Sequence, residues 1–289
     1  MPFNFNLPAI LLALTLVSGV IYLVDTLFFK KARDAKWRDA NPDVDLSALK
    51  GKKKKEAGPK LPLLADYARE LFPVFLIVFV VRCFFFNHYR VPSQSLEPTI
   101  MPGDFVLVNQ FDYGFHSPLT NKEWIHVGEP KTGQIAIFQW PVNRNISFIK
   151  RVIGVPGDKI SYINKVLYIN GKKQPQKFVG YSEDTDDGVT FWKMKKMIET
   201  LGGVKHYMYV CADSNNCPVQ TKEDFYNVTV PAGHYFMMGD NRDNSDDTRG
   251  WGMVPASNLT GTGKFIWMSW DPYKHHVNWE RIGNKLYVK

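Results

Sequence analysis

The sequence predicts a mainly β protein: an antiparallel β-sheet domain held by an N-terminal anchor of two transmembrane helices. Three observations carry this expectation. Apolar runs of membrane-helix character are confined to residues 1–87. From Val91 onward, short β-rich runs alternate with Gly, Pro, Asn and Asp. The positive charge is concentrated, with eleven Lys/Arg against five Asp/Glu in residues 30–60, most of the net +8 of the chain.

The first element, within residues 1–29, is Leu7 to Phe29, broken only by Thr15, Ser18, Gly19, Asp25 and Thr26. At about 1.5 Å per residue it crosses a bilayer. It lacks the basic start and small-residue cleavage site of a removable leader. Residues 30–60, with Lys52-Lys53-Lys54-Lys55 and Gly58-Pro59, read as a solvated basic loop facing the cytoplasm. The second span, within residues 61–87, is Leu71 to Phe86 and contains Arg82, which sits near one end where its side chain can snorkel. Two spans return the rest of the chain to the outer side of the membrane. A nucleic-acid binder would spread its basic residues over a folded, aromatic-bearing face, so the single basic loop excludes nucleic acid as the main partner.

The β region holds strand-like runs at Phe105–Asn109, Gln134–Trp140, Phe148–Val155, Lys159–Tyr162, Val166–Ile169, Tyr207–Cys211, Tyr235–Met238 and Gly263–Ser269. Asn170-Gly171 is a strong hairpin turn signal. Phe191 to Leu201 reads as a short helix. Of the three cysteines, Cys83 lies in an apolar run as a free thiol. Cys211 and Cys217 flank a short polar stretch that a disulfide can close, in an oxidising compartment; two free thiols are the alternative. Their spacing, with no companion His or Cys pair, does not fit zinc, and none of the seven histidines forms a His-x-x-x-His pair. No metal or other cofactor is expected.

Three stretches carry candidate chemistry. Val91-Pro92-Ser93-Gln94-Ser95-Leu96-Glu97-Pro98-Thr99 sets two serines between prolines that restrict the backbone. By itself it reads as a linker leaving a membrane helix, because a serine hydroxyl is a poor nucleophile until a neighbour takes its proton. Lys150 lies in the run Ser147-Phe148-Ile149-Lys150-Arg151-Val152-Ile153-Gly154. Most strand lysines face solvent, but Lys150 and Arg151 point to opposite faces, so one of the two is directed inward. Desolvation by Phe148, Ile149 and Val152 would lower the lysine pKa from near 10.4 toward the range of a working base. Met238 to Gly252 is dense in acidic and amide residues, yet EF-hand spacing fails, with Arg242 at a ligand position when counted from Asp240. A loop held by Asp–Arg pairs, with Ser245 free to meet an amine, fits better.

Together these stretches resemble the bacterial type I signal peptidases, or leader peptidases. The resemblance covers the two-span anchor, Ser93-x-Ser95-Leu96-x-Pro98-Thr99, Gly103-Asp104-Phe105-Val106-Leu107-Val108, Lys150 through Asp158, and Gly239 through Arg249. It implies a serine endopeptidase that removes signal peptides from exported preproteins, cutting after small residues. In it Ser95 is the nucleophile, Lys150 the general base, and Ser93 with the Ser95 amide the oxyanion hole. Ser245 orients the lysine, while Arg151, Asp240, Arg242, Asp247 and Arg249 form a salt-bridged scaffold. Val91, Pro92, Leu96, Ile100, Phe148 and Ile149 are expected to wall the first pocket, and Tyr89, Val106, Ile137 and Ile149 the second. Leu96 stands where the family often has Met, and Thr248 where it has Ser; volume and hydroxyl are kept.

The implied organisation is a catalytic β domain over residues 88–158 and 232–289, with residues 159–231 an inserted domain that does no chemistry. The implied location is the bacterial inner membrane with the catalytic domain on the periplasmic side. The partners are signal peptides and membrane lipid, the latter through Trp267, Trp270, Tyr273 and Trp279 unless these pack in the core. Nothing requires more than a monomer. Two rival readings remain: a non-catalytic tethered β module, and a self-processing Ser/Lys protease with Glu56-Ala57-Gly58 as its cut site.

Overall fold

The computed structural model describes residues 7–45, 49–51, 53, 57–117, 119–120, 122–185, 190–213, 216–217, 223–271 and 275–288. Tyr273, Glu56 and most of the poly-lysine stretch lie outside them. The chain forms two compact units, Met1–Cys83 and Phe84–Lys289.

In the first unit, α1 (Leu7–Val24), a π-helical segment (Asp25–Phe29) and α2 (Lys30–Ala40) follow one another as a helix of 34 residues. Its length and apolarity suffice to cross a bilayer. The polar residues that interrupt it are satisfied locally: Thr15 Oγ1 donates to Leu11 O at 2.7 Å and Ser18 Oγ to Leu14 O at 2.6 Å. Asp25 receives both terminal nitrogens of Arg33, at 2.6 and 2.8 Å. The stretch expected as a basic loop is therefore helical as far as Ala40. Its Lys, Arg and Ala are good helix formers, and none of its residues is buried, so no core is needed.

The second helix, α3 (Leu63–Val80), continues as a π-helical segment, Val81–Phe85. It packs on α1 at Gly19, where an added Cβ would lie 2.8 Å from the Phe72 ring. Tyr22 stacks on Phe72 with centroids 6.0 Å apart. Asp66, Arg69 and Glu70 occupy its first turns. Among the described residues, Leu7–Ala40 alone has the length and apolarity of a membrane span.

In the second unit, one eight-stranded antiparallel sheet runs in the order β1 (Phe86–Arg90), β2 (Asp104–Asn109), β16 (Leu259–Asp271), β5 (Ile135–Gln139), β6 (Ser147–Gly154), β14 (His234–Met238), β15 (Val254–Pro255), with β17 (His276–Val277) beside β16. A hairpin, β3 (Gly114–His116) and β4 (Glu123–His126), lies apart from it. The segment 159–231 supplies two smaller sheets. One comprises β7 (Lys159–Ile163), β8 (Val166–Ile169), β9 (Lys172–Lys173) and β13 (Phe225–Thr229); the other is β10 (Gln176–Asp184), β11 (Trp192–Leu201) and β12 (Val204–Cys211).

The Asn170-Gly171 signal is met by a hairpin turn with φ of 52° and 74°, the two left-handed residues a type I′ turn requires. The helix expected from Phe191 is instead β11, paired along its length with β10 on one side and β12 on the other. Ladder bonds on both edges outweigh the helix propensity of the Met-Lys-Lys-Met run. Cys211 and Cys217 form a disulfide.

Ile160, Tyr162, Leu167, Leu201 and Val230 share one core cluster with Ile153 of β6 and with Phe236 and Met238 of β14. A second cluster under the main sheet joins Val91, Leu96, Ile100, Val106, Ile137 and Ile266.

Candidate active site

The nucleophile candidate sits on the loop between β1 and β2. That loop is closed at its base by Val91 N to Asp104 O and Gly103 N to Val91 O, each 2.8 Å. Leu96 and Ile100 are fully buried and anchor its far side in the core. Apolar anchoring on both flanks leaves the serines at the rim. Ser95 is buried, and its hydroxyl lies 3.3 Å from that of Ser93.

Lys150 enters from β6, opposite Ala136 of β5. Sequence alternation placed one of Lys150 and Arg151 inward; both are buried, because β6 is covered on both faces at this point. Burial pushes the lysine amine down to about 8, against the raising influence of Asp247 and Asp246. Its Nζ lies 5.7 Å from the centroid of the Phe148 ring. On the opposite face, Arg151 grips Asp240 with Nε at 2.7 Å and Nη2 at 2.6 Å.

The loop from Gly239 to Arg249 locks these parts together. Asn241 N donates to Ser95 O at 3.1 Å, and Thr99 Oγ1 to Asp240 Oδ2 at 2.6 Å. Gly239 is in the tightest place: a Cβ there would lie 2.2 Å from Ser95 O and 2.3 Å from Ser245 Oγ. Asp247 accepts Arg249 Nε at 2.8 Å, Arg249 Nη2 at 2.7 Å and the Gly239 amide at 3.1 Å. Arg242 is paired with Glu199 through both terminal nitrogens. Burial alone would raise the carboxyls of Asp240, Asp247 and Glu199, but their arginine partners hold all three below the usual carboxylate range.

Ser93, Ser95 and Lys150 line one cleft of about 510 Å³, together with Pro92, Gln94, Pro102, Ile146, Ser147, Phe148, Ile149, Asn244 and Asp246. A cavity of about 600 Å³ near Tyr113 and Tyr235 contains none of the candidate catalytic residues. No hydrogen bond joins Ser95 to Lys150 here, and the buried Ser245 hydroxyl has no hydrogen-bond partner among the described residues. Such contacts commonly tighten only when substrate fills the site. Of the residues expected to wall the pockets, Pro92, Phe148 and Ile149 line this cleft. Val91, Leu96, Ile100, Val106 and Ile137 lie in the core cluster, with Tyr89 and Ile149 packed against it. Trp267 is 40% exposed and meets His88 and Phe105 edge-on, while Trp279 is 76% exposed.

Sequence reasoning missed Glu199 and His206, both fully buried in the segment read as inert. His206 Nε2 lies 3.5 Å from Glu199 Oε2 and 3.7 Å from Asp240 Oδ1. Burial, aided by Arg151, pushes its imidazole down to about 3 and keeps it neutral. The available signal was period two: His206 shares a strand face with Met208 and Val210, which are also buried.

The family model "Signal peptidase, peptidase S26" matches residues 64–270. Signal peptidase I of Pseudomonas fluorescens is 35% identical over 302 residues, covering 97% of this chain and 99% of its own. That of Pseudomonas aeruginosa is 37% identical over 296 residues with the same coverage. A crystal structure of a signal peptidase I from Enterococcus faecalis is similar at 26% identity and a TM-score of 0.30, over 47% of this chain and 97% of that one.

Proposed function

From the premise that this chain belongs to the signal peptidase family, peptidase S26, and is a serine endopeptidase, we propose that it removes N-terminal signal peptides from exported preproteins. The observation that carries the chemistry is the convergence of Ser93, Ser95 and a buried, partly deprotonated Lys150 on one cleft.

The neutral Lys150 amine takes the Ser95 hydroxyl proton as Oγ attacks the carbonyl carbon of the scissile bond. The Ser93 hydroxyl and the Ser95 amide stabilise the oxyanion. The Lys150 ammonium then gives its proton to the leaving amine, and an ester joins Ser95 to the signal peptide. Water, with Lys150 again as base, releases it. Ser245 receives or donates a hydrogen bond to the amine as the site closes on substrate. Arg151, Asp240, Arg242, Asp247 and Arg249 hold the loop without touching the substrate.

The substrate lies extended beside β6. The pairing of β14 with β6 spans Arg151 to Gly154, which leaves one edge of Ser147 to Lys150 available for strand addition. Phe148, Ile149 and Pro92 shape a shallow apolar wall that admits small side chains before the cut, with Tyr89, Val91, Leu96, Ile100, Val106 and Ile137 backing it. The helix Leu7–Ala40 anchors the enzyme in the inner membrane, and α3 with the segment after it serves as a second span. Basic residues after Phe29 hold that loop in the cytoplasm and leave the catalytic domain on the periplasmic side. Exposed Trp279 and Trp267 suit the lipid interface. Incubating the purified protein with a labelled preprotein tests this reading. Cleavage after a small residue is expected from the parent and is lost in Ser95→Ala and Lys150→Ala; cleavage by both variants at the parent's rate refutes it.

A further inference from the structure

Lys150 has three carboxylates around it, those of Asp240, Asp246 and Asp247, together with the guanidinium of Arg249. Two of the carboxylates are spoken for. Asp240 is gripped by two nitrogens of Arg151, which comes from the opposite face of β6, and Asp247 by two nitrogens of Arg249. Each such arginine offsets part of the charge that its carboxylate presents to the lysine. Asp246 differs. It is exposed, it has no arginine partner among the described residues, and it lines the cleft that holds Ser95 and Lys150. Among the residues lining that cleft, Asp246 and Lys150 are the two that carry charge.

A carboxylate in that position has two physical consequences. It stabilises the Lys150 ammonium that forms whenever the base has taken a proton, and so resists the loss of that proton before the reaction starts. It also faces whatever side chain the substrate presents to that wall of the cleft, and repels another carboxylate there. Both effects act through water and not through a buried contact, so both weaken as salt is added.

We propose that Asp246 is a positioning residue of this cleft, setting the pH range in which Lys150 works and selecting against acidic side chains at the start of the released chain. The apolar wall of Phe148, Ile149 and Pro92 serves the small residues before the cut, which leaves the polar wall of Asn244 and Asp246 to the residues after it. This inference rests on the Ser95–Lys150 reading given above.

The test uses the full-length enzyme in detergent and matched peptides with Lys, Ser or Glu at the first position after the cut. Parent, Asp246→Asn and Asp246→Glu are compared by kcat/KM across about pH 6 to 10, at low and high salt. In Asp246→Asn the acid limb moves down by about half a pH unit, as expected for loss of one solvent-screened charge. The Lys-over-Glu preference, about threefold in the parent at low salt, falls to about one. Asp246→Glu keeps both properties, and high salt brings parent and Asp246→Asn together. An acid limb that stays in place overturns the role in tuning, and an unchanged Lys-over-Glu ratio overturns the role in selection. The assay separates this failure from the larger one: if Ser95→Ala or Lys150→Ala still cleaves, the dyad is wrong. If both are dead while Asp246→Asn matches the parent, only the assignment of Asp246 falls.

Discussion

Gly239→Ala is the smallest perturbation that reaches the nucleophile. The new methyl carbon would lie 2.2 Å from Ser95 O, 2.3 Å from Ser245 Oγ and 2.6 Å from Ser245 Cβ. A carbon and an oxygen in ordinary contact sit about 3.4 Å apart, so one partner retreats by about 1 Å. Ser95 O is backbone and is held by Asn241 N at 3.1 Å, so the retreat either breaks that bond or moves the serine. Overpacking costs about 1–3 kcal/mol and a buried carbonyl left unpaired adds about 1–3 kcal/mol. A loss of about 3 kcal/mol lowers the melting temperature of a domain of this size by roughly 6–12 °C. A displacement of about 1 Å at the attacking atom costs about a hundredfold in rate. The assay pairs thermal unfolding with kcat/KM on a signal-peptide substrate. Gly180→Ala is the control, since nothing lies within 4 Å of a Cβ there. A Gly239→Ala enzyme within about threefold of the parent, and within about 2 °C of its melting temperature, would refute the reasoning.

Four further outcomes follow. Because the Lys150 amine is pushed down to about 8, its neutral fraction grows across pH 7 to 9, so kcat/KM climbs through that window and then levels; a profile flat from about pH 6 to 9 sinks the lysine base. Arg151→Met leaves the carboxylate of Asp240 buried and unpaired, and denaturant titration should find roughly 3–5 kcal/mol of stability gone. Since the carboxyls of Asp240, Asp247 and Glu199 are held low in the folded state, the stability they contribute is present above the ordinary carboxylate range and disappears as pH falls below about 4, which acid unfolding followed by fluorescence measures. The paired substitution Cys211→Ser with Cys217→Ser opens a loop of six-residue separation and should cost about 2 kcal/mol, read against the parent with and without reductant.

Much of the sheet was legible because period two and turn chemistry are local signals. Asn170-Gly171 closes its hairpin, and the runs around Phe105, Gln134, Phe148 and Tyr235 became β2, β5, β6 and β14. Ser95 and Lys150 stood out by motif, although 55 residues separate them and only the sheet brings both to one cleft. What failed was decided elsewhere in the chain. Trp192 to Leu201 became a strand because β10 and β12 lie on both sides of it, and no window of its own residues contains that fact. Lys30 to Ala40 became helix because helix formers need no core to hold them when a longer helix already runs into them. Glu199 and His206 escaped notice because their meaning depends on Arg151 from β6 and on Asp240 and Arg242 from the loop after β14.

The pairing of charges around the cleft has a single electrostatic logic. A lysine is a useful base only when its ammonium is disfavoured, and burial provides that. Every unpaired carboxylate nearby works the other way, yet the loop that frames the site needs Asp240 and Asp247 for its hydrogen bonds to Thr99 and Gly239. Arg151 and Arg249 resolve the conflict by neutralising those carboxylates where they stand, and Arg242 does the same for Glu199 one layer behind. Removing Arg249 should therefore injure the enzyme twice, by loosening the loop and by letting the Asp247 charge act on Lys150. Its acid limb should then move up, opposite in sign to that of Asp246→Asn. A rise in Arg249→Gln set against a fall in Asp246→Asn would place both residues in one electrostatic circuit around the amine. Shifts of the same sign would mean that Lys150 responds to structural damage and not to charge.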